Sequence, residues 1–414
     1  MTMHLMRIAV HDYGSYPFTA QLARSLAGRG HEVLYLHGGG LRPARGQMIA
    51  RDVDPPTLTA ERVAISEPLR SRAGLRRLLQ ERRYGRALAH RIVQHRPDVV
   101  LSVPSSLDAQ AAAEHAAHAN GAAFVFWLQD IYSQAIERLL GRGIPLGGRL
   151  IASRFARLER LTLHRSEAVV SVSEDFLPIL RGWNVPDSRV VVIPNWAPLD
   201  EVEPAAKDNP WSREQGLARA AVLLYAGTLG RKHDPALLVS LADALPDARI
   251  VVVSEGAGTD RLRARLADRV NLILLPLQPA ERLAEVLATG DVLVAILDED
   301  ANVFSVPSKV LTYLTAGRAI LAAIPPVNLA ARTIADAGAG RVVAPSDAMA
   351  FVAAAKELLA DSELRLAAGA AGRAYAEKAF EIGRITDRFE SVLESAVHRA
   401  HSGGARRADT AEAQ

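Results

Sequence analysis

Apolar residues in this chain gather into short unbroken runs separated by longer stretches of helical spacing. In the first half the runs are RIAV (7–10), EVLYL (32–36), DVVLSV (98–103), AFVFWL (123–128), AVVSVS (168–173) and VVVIP (190–194). Unbroken runs, rather than polar–apolar alternation, mark strands covered on both faces. Between the first two runs Ala20, Leu22, Ala23, Leu26 and Ala27 recur at helical spacing. Strand–helix–strand repetition with right-handed crossovers predicts an α/β fold with a parallel, doubly wound sheet.

Residues 197–214 (APLDEVEPAAKDNPWSRE) break this pattern: they are rich in proline and charge, and predict an interdomain linker. The alternation restarts with AVLLYAG (221–227), RIVVVSEG (249–256), NLILLP (271–276), DVLVAI (291–296), AILAAI (319–324) and GRVVAP (340–345). The chain therefore divides into a first domain over 1–196, the linker over 197–214 and a second domain over 215–379. Beyond Asp347 the pattern is helical, and a last helix at about 380–400 is expected to return to the first domain. The small, polar stretch 401–414 (HSGGARRADTAEAQ) is expected to be disordered.

A length of 414 residues suits two domains rather than one core, and 49% apolar against 23% charged residues is a globular balance. Cysteine is absent, which excludes disulfides and thiolate metal sites and fits a reducing cytoplasm. No leader-like stretch opens the sequence, and no run of ~18 apolar residues predicts a spanning helix. The net charge of +3 is uneven: from Arg70 to Arg91 eight arginines face one acid, Glu81.

Three segments carry candidate chemistry. After the first strand, HDYGSYPFTAQL holds Gly14 and Ser15 in a turn leading into a helix, where open backbone N–H groups favour a polar substrate. A plain βα turn explains it equally well, and the glycine fingerprint of a dinucleotide site is missing. His11 and Asp12, at that strand end, are expected to shape the turn or meet an acceptor. In YAGTLGRKHDP (225–235), Gly227, Thr228 and Gly230 open the backbone ahead of Arg231 and Lys232. Free backbone and two cations at a parallel strand's carboxyl end suit a diphosphate. In FSVPSKVLTYLTAGRAI (304–320), Pro307, Ser308 and Lys309 open a short helix that also suits phosphate. The twelve histidines are scattered without ligand spacing, so no metal site and no cofactor is expected.

Taken in order, VSVSEDF with VVVIPNW, YAGTLGRKHDPALL, VSEGAG and PSK–TYLTAGRAIL resemble landmarks of the family 4 retaining glycosyltransferases. WLQDIYS (127–133) resembles a segment of the bacterial surface-polysaccharide branch. The resemblance implies a GT-B fold: two Rossmann-like domains facing a cleft, with the donor held mainly by the second. It implies a metal-independent, configuration-retaining transfer from a nucleotide-diphosphate sugar, with UDP-sugar the expectation, to a lipid-linked or polysaccharide acceptor. Lys232 and Arg231 would stabilise the leaving diphosphate beside Gly230, and Ser308 and Lys309 would hold a phosphate oxygen. Glu255, Gly256 and Leu275 would lie on the nucleoside side, Asp130 and Gln129 on the acceptor side, and Asn195 at the domain junction.

The chain departs from the family at several points. The paired glutamates fall on Phe304 and Thr312, so Thr312 would meet the ribose through a shorter hydroxyl. Thr228 replaces an arginine, and Gln129 replaces a histidine beside a retained Asp130. Two alternatives therefore stay open: a catalytically weak scaffold binding a sugar nucleotide or protein partner, and a sugar-nucleotide 2-epimerase. The Arg70–Arg91 segment interleaves leucines with cations, which suits either a helix packed on its own domain or an anionic membrane surface. Peripheral placement on the inner face of the cell membrane follows from the second reading, and nucleic-acid binding is not expected.

Overall fold

Thirteen strands form among the described residues of the computed structural model, and each apolar run from the sequence becomes one of them. Described are residues 4–14, 16–38, 51–63, 75–103, 105–141, 147–230, 233–266, 269–300 and 308–412. The chain divides into two compact units, Met1–Pro194 with Ile382–Gln414, and Asn195–Glu381.

The first unit carries β1 (Arg7–Asp12), β2 (Glu32–His37), β3 (Leu58–Arg62), β4 (Val99–Ser102), β5 (Ala123–Leu128), β6 (Ala168–Ser171) and β7 (Val190–Val192). They pair in the order β3-β2-β1-β4-β5-β6-β7, all parallel. Strand β3 escapes the apolar pattern because it is an edge strand with Thr59, Ala60 and Arg62 exposed. The second unit carries β8 (Val222–Ala226), β9 (Arg249–Val253), β10 (Leu272–Leu275), β11 (Val292–Ile296), β12 (Ala319–Ala323) and β13 (Gly340–Val343). Their order is β10-β9-β8-β11-β12-β13, again parallel. Its core joins Leu223, Val252, Val294 and Leu321 of the sheet to Leu238 and Leu241 on one helix and Phe351 and Leu358 on another. In both units the chain builds outward to one side of its first strand and then crosses to the other. The crossover pairs are β1 with β4 and β8 with β11, and at such a switch the crevice at the strands' carboxyl ends opens to ligand.

The final helix, Ile382–Glu412, packs on the first unit. Phe389 meets Trp127 with ring centres 4.6 Å apart, and Glu390 accepts from His31 Nε2 at 2.7 Å and pairs with Arg29. The His31 ring is oriented by the Met6 amide, which donates to Nδ1 at 3.1 Å.

Two expectations are corrected. Residues 401–412 continue this helix rather than being disordered, since alanine, arginine and glutamate after Gly404 are helix formers. The stretch 197–214 is packed on the second unit. Its end forms a helix, Pro210–Glu214, with an Asn209–Ser212 capping box, and Trp211 is fully buried. Arg373 and Arg318 donate to the carbonyls of Val202 and Ala205, at 3.1 and 2.8 Å.

Candidate active site

Strand β8 ends at Ala226, and the chain leaves it through Gly227, whose φ of +117° favours glycine. The Gly227 amide donates to the Val253 carbonyl at 3.0 Å, and the Leu229 amide to the Glu255 carbonyl at 2.9 Å. These bonds stitch the loop after β8 to the loop after β9. The second loop turns at Gly256, with φ +111°, and its Gly258 amide donates back to the Leu229 carbonyl at 2.7 Å. A Cβ at Gly258 would sit 2.7 Å from that same oxygen, so only glycine permits the contact. Further on, the Gly230 amide donates to Nδ1 of the buried His233 at 2.9 Å, and Arg261 donates to the His233 carbonyl at 3.0 Å.

Across the switch, β11 leads to the helix Lys309–Thr315. Its Tyr313 hydroxyl accepts from the Ala226 amide at 2.9 Å and donates to the Ala226 carbonyl at 3.1 Å, pinning the helix to the end of β8. One turn earlier, Lys309 Nζ lies 3.6 Å from the centre of the Tyr225 ring and donates to its hydroxyl, which donates in turn to the Thr228 carbonyl at 3.0 Å. Burial pushes the Tyr225 hydroxyl well above its ordinary range, so it stays a neutral donor. The Lys309 Cε and Nζ atoms lie 3.8 and 3.9 Å from where a side chain on Gly227 would begin. A cation and an open glycine turn thus share the β8/β11 switch, an arrangement receptive to a diphosphate.

Of the residues singled out in sequence, Gly227, Thr228, Gly230, Glu255, Gly256 and Lys309 come together here. Ser308 is exposed and makes no side-chain cap to the helix, and Thr312 is half-buried beside Tyr313. Leu275 ends β10, two strands from β8 and so about 10 Å to the side. Arg231, Lys232, Phe304 and Pro307 lie outside the described residues. Tyr225 and Tyr313 escaped the sequence reading because each sits inside an apolar run and reads as core. The available signal was a phenol at each of the two segments already marked for phosphate.

On the first unit's carboxyl edge, Gly14 follows β1 and the half-buried Gln129 and Asp130 follow β5, with β4 between them. Ser15 lies outside the described residues. Asp12 Oδ2 accepts from the Tyr16 amide at 2.6 Å and the Tyr35 hydroxyl at 2.9 Å, so this carboxylate shapes the turn. His11 is fully buried between Ser102 Oγ (3.0 Å from Nδ1) and the Tyr84 hydroxyl (3.0 Å from Nε2), and burial lowers its pKa to about 3. It is a neutral hydrogen-bonding group, not a base. The buried Glu159 caps the next helix by accepting from the Tyr132 and Ser133 amides, both at 3.0 Å.

In the arginine-rich segment, the helix Leu75–His95 buries Gln80, Tyr84, Leu88 and Ile92. Its outer face exposes Arg76, Leu79, Arg83 and Arg86. Arg77 pairs with Glu81 at 2.7 Å and donates to the Tyr13 hydroxyl beside the β1 turn. Residues 70–74 lie outside the described residues.

Comparison with known proteins agrees with this architecture. Residues 14–196 match the family described as glycosyl transferase 4-like domain, and residues 220–361 match glycosyl transferases group 1. A curated relative is WcaI of Escherichia coli strain K12, a glycosyl transferase assigned to colanic acid biosynthesis. It is 24% identical over 274 residues, which are 64% of this chain and 67% of the relative. Among solved structures, sucrose-phosphate synthase from Thermosynechococcus elongatus superposes with a TM-score of 0.72 at 16% identity, over 94% of this chain and 98% of that one. HepE of Anabaena, in complex with UDP-glucose, superposes with a TM-score of 0.69 at 12% identity, over 94% of this chain and all of that one. Both family matches are transferase families, which does not favour the scaffold and epimerase alternatives. With two Rossmann-like units of the GT-B class, each matched by a glycosyltransferase family, the chain belongs to the family 4-type glycosyltransferases and is a sugar-transferring enzyme.

Proposed function

We propose that the enzyme transfers a sugar, with retention of configuration and without a metal, from a UDP-sugar to a lipid-linked or polysaccharide acceptor of the cell surface. The observation that carries this reading is the meeting of Lys309 with the Gly227 turn at the β8/β11 switch. The relative assigned to colanic acid biosynthesis and the UDP-glucose complex of the Anabaena neighbour support the acceptor class and the base.

In this reading the bond from the anomeric carbon to the diphosphate breaks, and the bond to the acceptor oxygen forms on the same face. The departing phosphate oxygen takes the acceptor proton, so no strong protein base is needed. Charge grows on the diphosphate as it leaves, and cations fixed in advance stabilise it without reorganising. Lys309 serves that role with Lys232 and Arg231, next to Gly230 in sequence. Asp130 and Gln129 contact the acceptor, and Glu255 and Gly256 the nucleoside. The test is a thermal-shift screen of nucleotide sugars, followed by NMR of the product anomer. A donor at a hundred times its dissociation constant adds ~2.7 kcal/mol to stability. An inverted product, or no response to any uridine nucleotide, contradicts the proposal, and loss of turnover in EDTA contradicts the metal-free part.

The same reading places the enzyme peripherally on an anionic membrane through the outer face of Leu75–His95. Leu79 is 45% exposed there among Arg76, Arg83 and Arg86, while Arg77 on the same helix reaches Tyr13. No helix among the described residues is long and apolar enough to cross a membrane. Flotation with anionic vesicles is expected at low salt and is expected to weaken as salt rises. Absence of flotation at every salt concentration contradicts this placement.

A further inference from the structure

The amino ends of the first sheet's strands, away from the carboxyl ends that form the β1/β4 switch, carry a groove of about 1070 Å³. It is walled by the starts of β5, β6 and β7 and by the last helix, and Arg165, Arg189, Arg399, His118, Glu114 and Glu167 line it. Both carboxylates are already engaged. His118 Nδ1 meets Glu114 at 2.8 Å and Nε2 meets Glu167 at 3.1 Å, and Glu167 also accepts from the Phe124 amide at 2.8 Å. Held between two carboxylates, His118 has its pKa raised to about 9 and is a cation at neutral pH.

The arginines are differently placed. Arg165 reaches Glu114 only at 3.7 Å. Arg189 Nη1 donates to the His164 and Ser166 carbonyls at 3.1 and 3.4 Å, which orients its guanidinium without neutralising it. Arg399 has its Nε buried with no hydrogen-bond partner among the described residues; burial and the charge of Arg189 disfavour its cation, against a weaker opposing attraction from Glu167. A buried donor left unpaired is costly, and two guanidinium groups repel unless an anion joins them.

We infer that this groove is a binding site for a phosphate-type anion, gripped between Arg189 and Arg399 at the amino ends of β5, β6 and β7. Two guanidinium forks from different elements suit a tetrahedral anion offering several oxygens better than a planar carboxylate, which one fork satisfies. A free phosphate compound or a lipid headgroup would present the same oxygens.

The test is calorimetric titration of the full chain with inorganic pyrophosphate, for wild type, Arg399→Gln, Arg189→Gln and Lys309→Gln. Arg399→Gln and Arg189→Gln are each expected to weaken one binding event by about tenfold or more, while Lys309→Gln leaves it intact. Arg399→Lys, which keeps the charge, is expected to recover part of the loss. The Lys309→Gln arm separates this site from the donor site, so failure of one assignment does not mask the other. Vesicles with and without phosphatidic acid distinguish the source: retention lost with Arg399→Gln assigns a headgroup, and unchanged retention assigns a free compound. Pyrophosphate binding of unchanged affinity and stoichiometry in both Arg399→Gln and Arg189→Gln overturns the inference.

Discussion

Lys309 owes its place to Tyr225. The ring lies beneath the ammonium, the hydroxyl oxygen accepts from it, and the hydroxyl proton is spent on the Thr228 carbonyl. Tyr225→Phe keeps the ring and removes both hydrogen bonds. It is expected to weaken UDP binding several-fold, with little change in melting point, as measured by calorimetry. His11 makes a different prediction. Its folded pKa of about 3 lies below the ordinary 6.5, so the unfolded chain takes up a proton that the folded chain refuses. Stability is therefore expected to fall as pH drops from about 6.5 toward 3, and His11→Gln to flatten that slope in thermal melts. At this scale the glycines and Lys309 were legible in sequence because their chemistry is local: open backbone, a cation and a strand end. The tyrosines were not, since a phenol in an apolar run acquires its polar role only when β8 and the helix Lys309–Thr315 meet across the switch.

The last helix is held to the first unit by a buried face that includes Ile385, Phe389, Leu393 and Ala396, with Phe389 on Trp127 and Glu390 between His31 and Arg29. Glu390→Ala leaves the buried His31 without its acceptor and takes one of two carboxylates from the half-buried Arg29, which keeps Asp387, and is expected to cost about 1–3 kcal/mol, measured as a lowered melting point. The helix Leu107–Ala119 is tied to the start of β6 by His118 between Glu114 and Glu167. Its folded pKa of about 9 lies above the ordinary 6.5, so this contribution is full below pH 6.5 and is lost as pH rises toward 9. A melting point that declines over that window in wild type, and declines less in His118→Gln, is the expected result. Elements buried on both faces were readable from unbroken apolar runs. Strand β3, exposed at an edge, and the helix Pro210–Glu214, specified by its cap and a single tryptophan, leave no such trace.

The whole molecule repeats one plan twice, with a parallel sheet reversing its strand order at β1/β4 and again at β8/β11. That repetition was plain in the sequence, as was the family, because runs of buried strand residues and their order along the chain survive wide sequence change. Which strand ends face one another was not, because strand order is a property of the sheet and not of neighbouring residues. In the proposed reaction the second switch point holds the diphosphate of the donor through Lys309. Calorimetric affinities of UDP and uridine for wild type and Lys309→Gln test it most directly. Wild type is expected to prefer UDP over uridine by about tenfold or more, and Lys309→Gln to lose most of that preference while binding uridine as before. An undiminished preference for UDP in Lys309→Gln would contradict it.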